Sequence, residues 1–180
     1  DEKAVDELYR IGVKRLKIAG FECTDPRFVK YVASTNLPLI ISLGIGTTLD
    51  TMLKITTWVR SSKNDKKITY LHCNNAYPTP LQDINLGTMK KMIEKSKNEL
   101  YFINTSVGLS DHTECIIVPP IAVSHGASTI EKHFTLNKKM AGPDHPFAIE
   151  PDQLKQMVKN IESAEKVMGC KNTLYTSSEK

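Results

Sequence analysis

Hydrophobic positions along the chain fall into two periods that take turns. Residues 2–13 put Val5, Leu8, Ile11 and Gly12 at helical spacing, and 15–19 read as a short strand. Residues 26–33 predict a helix, broken by Thr35, Asn36 and Pro38, and 37–42 a buried strand. The stripe Leu49, Met52, Leu53, Ile55 and Val59 predicts a helix over 48–60, with a turn at 61–65 and a strand at 68–73. A helix over 80–96 and a strand over 101–107 follow. Residues 115–125 form an apolar segment read as a helix that Pro119-Pro120 must interrupt. Residues 129–134 are the last strand. Over 151–168 a long amphipathic helix turns Leu154, Met157, Val158 and Ile161 inward, and Gly169 stops it.

Five strands, each followed by a helix and without a hairpin signal, argue for a parallel sheet with right-handed crossovers. Leu43-Gly-Ile-Gly-Thr47 lacks the third glycine of a dinucleotide-binding loop. A complete (β/α)8 barrel takes ~250 residues, so 180 residues are too few for one. The period therefore predicts an α/β fold, either part of an αβ barrel or a small open parallel sheet, within one domain. A net charge of +4 is mild, and its densest basic spots, 63–67 and 90–92, carry no interleaved aromatics. They read as solvated faces, not as a nucleic-acid surface. No apolar run reaches membrane-spanning length, and Asp1-Glu-Lys-Ala4 does not look like a signal peptide. Cys23, Cys73, Cys115 and Cys170 are far apart, which suits reduced thiols in a cytoplasmic protein.

The candidate chemistry sits at the strand ends. His112 closes Thr105-Ser-Val-Gly-Leu-Ser-Asp-His112, and His133 closes Ser128-Thr-Ile-Glu-Lys-His133. In a parallel αβ layer these are carboxyl ends of strands, where ligands bind. Two imidazoles on one rim, with Asp111, Glu131 and Asp144 near in sequence, point to a divalent metal or an acid–base pair. Alternation sets Lys17 opposite Leu16 and Ile18, so it should face into a barrel. Ser42 and Ser110, taken alone, read as structural serines, and Asn75 and Tyr77 as turn residues before Pro78 and Pro80. Asp144 fits a turn cap, and Glu22 and Glu131 fit solvated loop carboxylates. His72, His125 and His145 read as structural.

Further blocks complete the pattern: Leu71-His-Cys-Asn-Asn75-Ala-Tyr77-Pro-Thr-Pro80, Ser110-Asp-His112-Thr113, Glu131-Lys-His133-Phe-Thr-Leu136 and Gly142-Pro-Asp144-His. In combination they resemble the N-acetylneuraminate (sialic acid) synthase family, which includes legionaminic and pseudaminic acid synthases. The resemblance implies a partial (β/α)8 barrel over 1–168, its last five strand–helix units, and a linker over 169–180 toward an antifreeze-like domain. It implies condensation of phosphoenolpyruvate with N-acetylmannosamine or a related N-acyl amino sugar, assisted by Mn²⁺ or Mg²⁺, with release of phosphate. By resemblance His112 and His133 hold the metal, which polarises the sugar aldehyde. Lys17, Ser42, Asn75 and Ser110 match phosphoenolpyruvate-binding positions, donors suited to phosphate and carboxylate. Tyr77 and Asp144 match sugar-side positions, and Glu22 and Glu131 match carboxylates able to move a proton.

Three positions depart from the family pattern: Gly20 for a usual serine, Leu43 for a threonine and Asn137 for an aspartate. In the family, earlier strands supply a further glutamate and lysine, and the antifreeze-like domain reaches a partner subunit's site with an arginine. A five-strand segment would expose two sheet edges, so homo-oligomerisation or completion by another chain is expected. A synthase portion active on completion is one reading. A non-catalytic barrel remnant that binds metal, phosphate or a partner is the other, and a different condensing enzyme on the same barrel is a third.

Overall fold

The computed structural model describes residues 1–44 and 46–169; Cys170 and the linker expected at its side lie outside the described residues. The order is α1 (Glu2–Arg10), β1 (Leu16–Ile18), α2 (Pro26–Ser34), β2 (Leu39–Leu43), α3 (Leu49–Ser61), β3 (Ile68–Cys73), α4 (Leu86–Asn98), β4 (Thr105–Asp111), α5 (Val118–Ser124), β5 (Ile130–Lys132) and α6 (Pro151–Met168). The strands pair in parallel in the order β1-β2-β3-β4-β5. Sequential parallel order with intervening helices is the barrel pattern and not a doubly wound one. The expected five-strand α/β half-barrel is therefore the fold observed.

Burial explains the two faces of the sheet. On the helix side, Leu16, Ile18, Leu39, Ile41, Ile68, Tyr70 and Leu109 pack with Val29, Met52, Ile55 and Met89, all buried. Each such side chain gains roughly 1.5–3 kcal/mol on leaving water. The one hydroxyl among them, on Tyr70, meets Thr56 Oγ1 at 2.7 Å. On the concave side, strand alternation aligns Lys17, Ser42, Leu71, Cys73, Ser110 and Glu131 through the register Ser42↔Leu71, Cys73↔Ser110 and Ser110↔Glu131.

Several sequence expectations shift. The strand expected over 101–107 lies at Thr105–Asp111, because Leu100–Phe102 forms a 3-10 turn and Asn104 adopts φ 59° to redirect the chain. The helix expected from residue 80 splits into a 3-10 turn, Leu81–Asp83, and α4. Pro119 and Pro120 do not interrupt α5; they occupy its first turn, where their missing N–H groups have no helical partner to lose. The inward stripes are narrower than read: Leu8, Ile11 and Val158 are exposed, while Val5 and Met157 are buried. His72, His125 and His145 are hydrogen-bonded to Ile84 O, Ile121 O and Thr135 Oγ1. No helix among the described residues is long and apolar enough to cross a membrane.

Candidate active site

The concave face carries a continuous polar row. Lys17 Nζ donates to Glu131 Oε1 at 2.8 Å, and Ser110 Oγ donates to the same oxygen at 2.7 Å. Lys17 is on β1 and Glu131 on β5, the two outermost strands, so the sheet curls until its opposite edges bridge side chain to side chain. Burial alone would raise the Glu131 carboxyl, but the bonds from Lys17 and Ser110 outweigh it and hold the group below its ordinary value. Lys17 and Glu131 stay 40 % and 36 % exposed, open to a ligand from the concave side. Cys73 lies alongside, its thiol pushed up by burial.

His112 continues the row where β4 ends. Its Nδ1 sits 2.6 Å from the Asn74 carbonyl, so Nδ1 carries the proton and donates it. Burial, reinforced by His133, pulls the imidazole below its ordinary value and keeps the ring neutral near pH 7. Nε2 therefore presents a lone pair to the concave side, 3.2 Å from Ser110 Oγ, whose single proton serves either Nε2 or Glu131 at one time. The His112 main chain is pinned as well, its carbonyl accepting from Thr79 N–H at 3.0 Å.

His133, one residue past β5, lies with its ring centre 5.3 Å from that of His112. Tyr77 stacks on His112 at 4.1 Å and meets His133 edge-on at 5.6 Å, and Phe147 closes the group 5.0 Å from His133. Asp144 Oδ2 lies 3.8 Å from His133 Nδ1, beyond hydrogen-bond distance and largely solvated. Sequence reasoning missed Phe147, two residues past the 142–145 block, and the Asn74 carbonyl, inside the 71–80 block. Main-chain roles leave no side-chain signature.

The remaining candidates are less tightly joined. Ser42 faces the same side, and its buried hydroxyl has no hydrogen-bond partner among the described residues. An orphaned donor of this kind is expected where a ligand supplies the partner. Asn75 packs against Gly44 and Gly20: a Cβ on Gly44 would collide with the Asn75 carboxamide. Gly44 leaves the room this asparagine needs, whereas a Cβ on Gly20, one of the departures from the family pattern, would press on the Gly44 backbone nitrogen at 3.3 Å. Glu22 accepts from Ala19 N–H at 3.1 Å and is exposed; among the described residues no hydrogen bond or ion pair ties it to the histidines.

Two imidazoles 5.3 Å apart, one with its lone pair already oriented by a carbonyl, fit a shared metal ion, given metal–imidazole bonds of about 2.1 Å. Mg²⁺ prefers an all-oxygen shell, so the donor pair suits Mn²⁺ better. Among the described residues no group of three or more His, Cys, Asp or Glu side chains is arranged to hold a metal. The fit is thus a two-nitrogen anchor with the other positions left to oxygen donors.

Comparison with known proteins gives the family and the fold. The chain is 40 % identical over 172 residues to the N,N'-diacetyllegionaminic acid synthase of Legionella pneumophila, an alignment covering 94 % of this chain and 46 % of that protein. It is 37 % identical over 165 residues to the pseudaminic acid synthase of Campylobacter jejuni, covering 92 % and 46 %. The crystal structure of the N-acetylneuraminic acid (sialic acid) synthetase of Leptospira borgpetersenii, in complex with citrate, superposes with a TM-score of 0.86 at 29 % identity, over 99 % of this chain and 59 % of that one. The chain thus spans about half the length of the curated relatives it matches. A NeuB family model matches residues 1–173, and the chain belongs to the NeuB family.

Proposed function

We propose that this chain supplies the phosphoenolpyruvate- and metal-binding part of a nonulosonic acid synthase, which condenses phosphoenolpyruvate with an N-acyl amino sugar such as N-acetylmannosamine. The observation that carries this reading is the strand-end row Lys17–Glu131–Ser110–His112, with the unpartnered Ser42 hydroxyl on the same face. Lys17 supplies a charge for phosphate or carboxylate, and Ser42, Ser110 and Asn75 supply neutral donors around it. Tyr77 and Asp144 border the histidines where the sugar would lie. His112 and His133 would hold Mn²⁺ or Mg²⁺, which as a bound Lewis acid polarises the sugar's aldehyde.

In the reaction C3 of phosphoenolpyruvate attacks the aldehyde carbon, water adds at C2, and the resulting tetrahedral carbon expels phosphate. Glu131 is held unprotonated, so it can accept the proton that the attacking water gives up. Glu22, in the turn after β1, is the second carboxylate assigned to this duty. Support for this class also comes from relatives whose names are those of sugar-acid synthases. The test is phosphate release, given Mn²⁺, phosphoenolpyruvate and N-acetylmannosamine, by the 180-residue chain completed with the earlier barrel strands of a NeuB relative. Release that needs both substrates, and that falls to background in His112→Ala and His133→Ala, is expected. Release from phosphoenolpyruvate without the sugar would overturn the reading.

A further inference from the structure

Behind the two histidines, on the opposite face of the sheet, lies an ion pair that the chemistry above does not use. Asp111 and Lys132 are register partners in the β4–β5 pairing, and each immediately precedes one of the histidines. Their side chains are 0 % and 4 % exposed and meet at 2.8 Å, Lys132 Nζ to Asp111 Oδ2. The ammonium also donates to the Thr113 carbonyl at 2.5 Å, while Asp111 Oδ1 accepts from Thr113 N–H at 2.9 Å. Three bonds thus close around residues 111–113, with His112 at the centre of the ring.

An ion pair buried this deeply gains little over an apolar pair of the same shape, because both charges lose their hydration. What it does impose is geometry. The link fixes how β4 and β5 end relative to each other, and so how far apart His112 and His133 stand. It also holds the 111–113 main chain against the Asn74 carbonyl that orients the His112 ring. We propose that Asp111 and Lys132 are positioning residues, a clamp on the helix side of the sheet that sets the spacing and tautomer of the two histidines on the concave side. This rests on the reading of His112 and His133 as the metal pair.

The test uses the 180-residue chain with Asp111→Asn and Lys132→Met combined, which removes both charges yet keeps an acceptor for Thr113 N–H. Lys132→Arg, which keeps charge and donors, is the conservative control. Long-range proton–nitrogen NMR of the metal-free chain reads the His112 tautomer, and Mn²⁺ paramagnetic resonance reads affinity. Expected is a single Nδ1–H tautomer in the unaltered chain and in Lys132→Arg. The folded double variant should show both tautomers and bind Mn²⁺ about ten-fold more weakly, a difference of ~1.4 kcal/mol. If that variant does not fold, Asp111→Asn combined with Lys132→Gln, which removes both charges yet keeps a polar link, carries the same comparison. A folded variant that keeps the single tautomer overturns the clamp even if Mn²⁺ still binds. A tautomer that shifts in a chain with no Mn²⁺ affinity upholds the clamp and instead removes the metal reading.

Discussion

Glu131 and His112 are displaced in the same direction for different reasons, and together they define how this site responds to acid. For Glu131, burial favours the neutral acid, but Lys17 and Ser110 win and its folded value lies below the ordinary 4.5. For His112, burial dominates and its folded value lies below the ordinary 6.5. In both cases the folded chain binds its proton less readily than the unfolded chain does. Each group therefore contributes stability that is present above its ordinary value and is lost as pH falls through its folded value. Stability should decline as pH drops below 6.5 through His112, and decline again below 4.5 through Glu131. Urea midpoints measured across this range check it: Glu131→Gln should retain the first decline and lose the second. A Glu131→Gln chain with an unchanged acid profile would contradict the assignment. The histidine pair was legible in the sequence because both residues end β-branched runs. The Asp111–Lys132 link was not, since no periodicity marks a charged residue that turns toward the helices.

At the scale of elements, period located all five strands but misplaced β4. Leu100, Tyr101 and Phe102 look like a strand start, yet only Phe102 is buried, and the real strand ends in Ser110 and Asp111. A strand that lines a site ends in polar residues, and polarity is what makes it read as a loop. The same logic hid the role of the two prolines, since a helix breaker and a first-turn residue are identical until the helix start is known. β3 is the best-specified element: Ile68, Tyr70 and Leu71 are fully buried, and the Tyr70–Thr56 bond ties it to α3. Tyr70→Phe should cost about 1 kcal/mol, because Thr56 keeps the Met52 carbonyl as a second partner. Chemical denaturation checks this, and a loss near zero would mean the bond adds nothing to the packing around it.

The molecule as a whole is a curled sheet whose outermost strands each pair on one side only among the described residues, yet meet across the concave face through Lys17 and Glu131. That bridge places the ammonium beside Ser110 and, through it, His112. The α/β class could be read from alternating periods, which with length left part of a barrel or a small open sheet, and the resemblance of the strand-end blocks pointed to the half-barrel. The contact between the two edges could not be read, because curvature is a property of packing. The central claim is that this concave row binds phosphoenolpyruvate, and calorimetric titration of the chain with phosphoenolpyruvate in the presence of Mn²⁺ tests it most directly. Binding is predicted, with Lys17→Met weakening it about ten-fold or more, the loss of one charge-assisted contact worth roughly 1.5–3 kcal/mol. Equal affinity in the unaltered and Lys17→Met chains would contradict the account.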